Sequence, residues 1–447
     1  MSIRSISKIL TLLALSSQWL ISIAPIEATA SGEEGKSNPE TKPVETVEEE
    51  AIRPAPAPNI ARLGRVPDWS NLDPYQETMS REEFIYLLRH CYVRNDGDFK
   101  DYLIFRPDRV LIMRQSNYPE AGYYELRFKP DRKVPDTGSR YWRPANELND
   151  LPENSSKPLQ DLVIAVDPGH IGGEWTTWDD RHFTIGKDTI AVEEGVMTLK
   201  VAKILEHDLT QLGATVVLTR ATENPVTPQR VEDLHDEART YLIRKKKTPS
   251  SGLIAATAKR MFAISSEIRS RADLVNEQFQ PDLALCLHFN ASPWGRRPSF
   301  RSSNHLHLLI NGCYAAYEVA EDDTRLEMLM RILQRIYYEE VALADQISAT
   351  LQDETGLPAA YYDGTNGKSI NDNNYVWSRN LLANRMFMCP VIFFEPYCMN
   401  HVEVHDRVQQ GEYRGLREIN GEYRKNIYQE YADGVTAGLV KYFRKNR

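Results

Sequence analysis

His170 and His288 each close an apolar run. Asp167-Pro168-Gly169-His170 follows residues 162–166, and His288-Phe289-Asn290 ends the run that begins at Leu283. Glu395-Pro396 ends a third run starting at Val391, and Glu194 opens a segment with helical spacing. Two neutral imidazoles and one carboxylate can hold Zn²⁺ through three protein ligands, with the fourth position open to water. Such a site leaves the ion net positive, polarises a carbonyl and generates a nucleophile near neutral pH. Glu395 is then left over as an acid or base that can hand a proton to a departing nitrogen. Asp167 can hydrogen-bond a ligand or its loop from outside. From residue types alone, the chemistry is metal-assisted hydrolysis.

The elements that must bring these groups together are legible in the apolar spacing. Residues 162–166, 215–218, 283–289, 306–310 and 391–394 are short continuous apolar runs that predict buried strands. Between them, Met197, Val201, Ile204, Leu205 and Leu212 follow Glu194 at helical spacing, and Gly213 supplies the stop. Helices are also predicted over 264–279, over 341–351 (ending near Gly356), and over 427–443. Strands alternating with helices predict an α/β fold with a mostly parallel twisted sheet and helices on both faces. In such sheets, sites gather at the carboxyl ends of the strands, where His170, His288 and Glu395 stand, and Glu194 opens its helix on the same edge.

The preceding residues differ in character. Arg4 and Lys8, an apolar run over 9–23 and Ala28-Thr29-Ala30 predict a cleavable signal peptide over 1–30, hence export to a periplasm or cell envelope. That run is short for a span of about 20 residues, and no later segment is apolar enough, so no stable membrane span is expected after cleavage. Residues 31–59, with Glu48-Glu49-Glu50 and alternating prolines at Pro54, Pro56 and Pro58, predict a disordered linker. Residues 60–154 predict a small α+β domain. In it, Ser80-Arg81-Glu82-Glu83 is a capping box, and 102–105, 110–113 and 123–128 are strands. Its aromatics Trp69, Tyr123, Tyr124 and Trp142 suit core packing better than sugar stacking. Residues 155–447 are expected to form one domain, which carries the candidate ligands and Glu395. The net charge of −9 argues against nucleic acid as a partner. Five cysteines without paired spacing leave at least one thiol free unless it pairs between chains, and Cys286 and Cys389 sit in or beside apolar runs.

The motifs resemble a known family. Residues 163–170 with Gly172-Gly173 resemble the opening motif of the zinc-dependent N-acetylmuramoyl-L-alanine amidases of bacterial cell walls. Glu194 with Met197-Thr198-Leu199 looks like that family's ligand-glutamate helix. Residues 212–214 and 218–220 are similar to its second strand. Arg271-Ala272 to Asn276 and then Leu287-His288-Phe289-Asn290-Ala291 resemble its arginine helix and its histidine strand end. Arg385, Pro390 and the run to Glu395 look like its closing catalytic strand. The resemblance covers 162 to the C-terminus. It implies that His170, Glu194 and His288 bind one Zn²⁺ per chain, with Glu193 the competing carboxylate, and that Glu395 is the catalytic acid and base. It also implies a reaction: hydrolysis of the amide between N-acetylmuramic acid and L-alanine in peptidoglycan, with an activator protein as a further partner. A zinc peptidase acting within the stem peptide and a catalytically inactive wall-binding protein are the alternatives.

Other features take plainer readings. Insertions over 221–259, with Arg244-Lys245-Lys246-Lys247, and over 313–338 suit solvated surface elaboration better than a cover over the zinc or a contact with anionic wall polymers. His305 and His307 share one side of a strand but suit packing or substrate contact. His401-Val402-Glu403-Val404-His405 places its glutamate one position late for a helical zinc-protease motif. Asn290 and Arg385 suit orientation of the site, binding of peptide carboxylates, or structural roles.

Overall fold

The computed structural model describes residues 56–130, 139–179, 181–362 and 365–447. The expected signal peptide and all but the end of the linker lie outside the described residues. Ser80 caps the helix Arg81–Leu87, its hydroxyl accepting from the Glu83 backbone N–H at 3.1 Å. Strands β1 (Leu103–Phe105), β2 (Arg109–Met113) and β3 (Tyr123–Arg127) follow as an antiparallel sheet. Alternate β3 residues are buried, as expected for a sheet with one wet face.

The larger sheet is built from β4 (Val163–Pro168), a small antiparallel pair β5 (His182–Phe183) and β6 (Val192–Glu193) that stands apart from it, then β7 (Thr215–Leu218), β8 (Leu283–Leu287), β9 (Leu306–Ile310), β10 (Lys368–Ser369), β11 (Val376–Ser378) and β12 (Val391–Pro396). A last pair, β13 (Leu416–Ile419) and β14 (Glu422–Lys425), is also separate. The order in the seven-stranded sheet is β10-β11-β9-β12-β8-β4-β7. β7, β4, β8 and β12 run parallel, but β9 is antiparallel to β12. The sheet is therefore mixed and mostly parallel. Every residue of β8 and β9 is buried, which is why both read as unbroken apolar runs.

The helix Glu194–Gln211 follows β6 and ends at Leu212 and Gly213, whose φ of 101° only glycine adopts without strain. One long helical stretch runs from Ser251 to Phe279 and contains two wide turns at Met261–Ser266 and Leu274–Phe279. The sequence expectation begins that helix only at 264. Its Ser- and Ala-rich opening turns carry too little apolar pattern to be read. The helices Ile336–Thr355 and Ile427–Asn446 pack on each other, and one continuous hydrophobic core joins them to the large sheet and to β1–β3. Residues Ala55–Arg447 accordingly form one compact unit.

The second insertion is not a solvated elaboration. Its helix Asp322–Leu333 is buried along almost its whole length, including Asp322, Asp323, Arg325 and Arg331. Burial is tolerated because each charge has partners. Asp322 accepts from the backbone N–H groups of Asn59 (3.0 Å) and Ser116 (2.9 Å) and from Arg325 (2.8 Å). Arg331 pairs with Glu340, and neither side chain is exposed. Glu340 also accepts from the Val391 N–H at 2.9 Å, which ties this pair to the start of β12. Arg331→Met strands the Glu340 carboxylate in the core and is expected to cost about 3–5 kcal/mol in denaturant unfolding. Arg331→Met combined with Glu340→Leu should recover most of that loss, and an equal loss in single and double variants would show that the pair is not the cause.

Candidate metal centre

The site is built where β4 and β8 end and the helix at Glu194 begins. Gly169 accepts no side chain there: a Cβ on it would lie 2.3 Å from the His288 ring, so only glycine lets the two strand ends close. Gly195 does the same on the helix, where a Cβ would sit 2.1 Å from the Ile171 carbonyl oxygen. His170 itself has φ 59°, a left-handed conformation that costs a non-glycine residue about 1–3 kcal/mol. Arg271 holds it there. Its guanidinium donates to the carbonyls of Pro168 and His170, both at 2.7 Å. Arg271 is buried and anchored in turn by Asp167 (3.1 Å) and Glu267 (2.9 Å). Asp167 thus reaches the loop through Arg271. Burial opposes its charge, but Arg271 and Thr219 outweigh burial and hold its carboxyl below the usual range.

Glu194 lies between the two histidines. Its Oε1 accepts from the Phe289 N–H at 3.0 Å and stands 3.1 Å from His288 Nδ1. Its Oε2 stands 3.4 Å from His170 Nε2 and is buried without a hydrogen bond among the described residues. One ligand atom from each of His170, Glu194 and His288 falls within 4.8 Å of the others. Burial works to raise the Glu194 pKa, but His170, His288 and Arg181 prevail and bring it down to about 2. Two imidazole nitrogens and an orphaned, ionised oxygen aimed at a common point are a donor set that fits a borderline cation such as Zn²⁺. Glu193 does not join them; it lies in β6 opposite His182.

The second nitrogen of His170 is also engaged. Nδ1 is 2.7 Å from Oδ2 of the buried Asp179. A carboxylate there fixes the Nδ1–H tautomer and leaves the Nε2 lone pair facing Glu194. Asp179→Ala is expected to weaken zinc affinity about 10–100-fold, measured by competition with a chromophoric chelator, with Asp179→Asn losing less. Equal affinity in all three proteins would leave Asp179 without this role.

Glu395 ends β12 on the same edge, directly opposite His307 of β9. Burial first, and then the nearby Glu194 charge, push its pKa up to about 8 against the pull of Arg181, His170 and Arg379. The His288 ring stacks on Phe393 with centroids 4.2 Å apart, so β12 also sets one ligand's plane.

The remaining candidates lie outside this cluster. His305 bonds Asn290 at 3.1 Å and Ser303 at 3.0 Å. His405 is buried on the helix Val402–Gln409, edge-on to Phe300. Arg385 is buried and committed to Glu327 at 2.6 Å and Asn380 at 3.0 Å. All five cysteines are buried and free. The basic run at Arg244–Lys247 is exposed, while the insertion's helices His235–Arg244 and Ser251–Arg260 pack against Ile171, Trp175 and Trp178 of the loop after His170. Nothing in the sequence marks Asp179 or Tyr362, which touches His307. They lie in irregular segments where no periodicity distinguishes them from their neighbours.

The family model for N-acetylmuramoyl-L-alanine amidases matches residues 164–420, more than half of the chain. The relative described as "Probable cell wall amidase LytH" from Staphylococcus saprophyticus is 40% identical over 73 residues. That match spans 16% of this chain and 23% of the relative's length. Among solved structures, the apo form of the N-acetylmuramyl-L-alanine amidase Ami1 from Mycobacterium abscessus is similar at 16% identity and a TM-score of 0.35, covering 63% of this chain and 99% of that one. The CwlD amidase from Clostridioides difficile, in complex with the GerS lipoprotein, is similar at 14% identity and a TM-score of 0.36, covering 63% and 98%.

Proposed function

The chain belongs to the N-acetylmuramoyl-L-alanine amidase family, and from that premise we propose that it hydrolyses the amide between the lactyl group of N-acetylmuramic acid and L-alanine in peptidoglycan. One observation carries the reading: His170, Glu194 and His288 converge, with Glu395 on the same sheet edge. In this reading His170, Glu194 and His288 would hold one Zn²⁺. When bound, the ion supplies a Lewis acid that polarises the amide carbonyl and acidifies the attacking water. Glu395 takes a proton from that water and returns it to the amide nitrogen as the C–N bond breaks. The products are the lactyl carboxylate and a peptide with a free L-alanine amine. Asp179 keeps His170 in its ligand tautomer, and Arg271 keeps the His170 backbone in place.

The site's substrate lies outside the cytoplasm, which fits the export signal expected over 1–30. Among the described residues, no helix is long and apolar enough to cross a membrane. Incubation of the purified protein with isolated sacculi should release intact peptides bearing a free L-alanine amine, identified by mass. EDTA should stop release and added zinc should restore it. Cleavage elsewhere in the stem would make the protein a peptidase instead, and no metal-dependent release at all would leave it a wall-binding protein.

A further inference from the structure

A substrate cut at this bond carries its charge on one side. The lactyl carboxyl is consumed in the scissile amide, so carboxylates of the substrate belong to the peptide. Arg385 is not free to meet them, because Glu327 holds it. Arg379 is differently placed. It follows β11, is half-buried, and no carboxylate among the described residues pairs with it. Its Nη1 lies 3.5 Å from the Tyr362 hydroxyl, and its guanidinium carbon lies 5.9 Å from that ring's centre. The same hydroxyl is 2.9 Å from His307 Nε2. His307 is 3% exposed and stands across the β9–β12 register from Glu395. Burial, then His305 and Arg379, push its pKa down to about 3, so the ring is neutral, and in its Nδ1–H tautomer Nε2 accepts the Tyr362 O–H. The hydroxyl oxygen keeps a lone pair facing Arg379. Tyr362 thereby bridges a buried imidazole beside the acid–base carboxylate to an arginine with no acidic partner among the described residues. The Glu395 charge is also felt by both Tyr362 and Arg379, which puts the three in one electrostatic neighbourhood.

We propose that Arg379, propped by Tyr362 and His307, is a carboxylate subsite that takes an acidic group on the peptide side of the scissile amide. The inference rests on the amidase reading above. A half-buried guanidinium pairs with a carboxylate through charge-assisted hydrogen bonds, and loss of one such contact weakens binding by about tenfold or more.

The test compares N-acetylmuramoyl-L-alanyl-glutamate with its diamide as substrates of the zinc-loaded enzyme. Wild type should show a lower KM for the acid. Arg379→Gln should raise that KM by about tenfold or more relative to the diamide KM, with zinc content as in wild type. Arg379→Lys should recover part of the preference, and Tyr362→Phe should lose a smaller part of it. Equal KM values for acid and diamide in wild type, or an Arg379→Gln loss that is the same on both, would overturn the subsite alone. Cleavage of neither substrate by wild type would take down the amidase reading and the subsite with it. Should Arg379→Gln not fold, the wild-type preference and Tyr362→Phe decide the matter between them.

Discussion

Glu395→Gln should lower kcat by about 10²–10⁴-fold while zinc stays near one per chain. The expectation follows from position and chemistry together. Glu395 is not one of the three groups that converge on the cation, so its amide should leave metal content unchanged. Gln keeps the shape but cannot take a proton, so the loss falls on the chemical step, about 3–5 kcal/mol of barrier. The pH profile gives a second readout. A base must be ionised, so wild-type kcat/KM should fall as pH drops below the Glu395 pKa. Without a cation that pKa is about 8, raised by burial and by Glu194; a dication beside Glu194 offsets the second cause and moves the value down. The acid limb assigned to Glu395 should vanish in the variant. Activity retained within about tenfold, or a variant stripped of zinc, would remove Glu395 from the mechanism.

His288→Ala should empty the centre. It removes one of two imidazoles, and the remaining pair must hold the cation with one nitrogen and one carboxylate. The loss in affinity should therefore exceed the about 10–100-fold expected for a partner outside the ligand set, such as Asp179. Zinc per chain after dialysis against buffer, measured by atomic emission, should fall well below one, and turnover should fall with it. The substitution also removes the ring stacked on Phe393, so a thermal melt is needed alongside. A folded variant with full zinc occupancy would refute His288 as a ligand. Glu194→Gln should behave alike in zinc content. It leaves the backbone N–H of Phe289 an acceptor, and so separates lost charge from lost packing.

Much of this arrangement was written locally. Continuous apolar runs gave β4, β8, β9 and β12 nearly residue for residue, because a strand covered on both faces has no polar position to interrupt it. Gly213 announced the end of its helix, and Ser80 the start of another, because cap chemistry depends on neighbours a few residues away. Residue type at strand ends picked out His170, Glu194, His288 and Glu395 as candidates, since ligands and acid–base groups must carry lone pairs or protons.

The tertiary structure decided what those residues face. The reversed direction of β9 is a pairing between distant segments, and it alone brings His307 opposite Glu395. Asp179 becomes a partner of His170 only once an irregular loop folds back, and Arg271 a clamp only once its helix lies under the strand end. The charged helix of the second insertion reads as surface because the partners of its buried charges, Asn59 and Ser116 for Asp322 and Glu340 for Arg331, lie outside that helix. Period and cap chemistry act over one or two turns and so survive in a linear string. Charge pairing and side-chain convergence act through space between residues far apart in the chain, and only the packed fold fixes them.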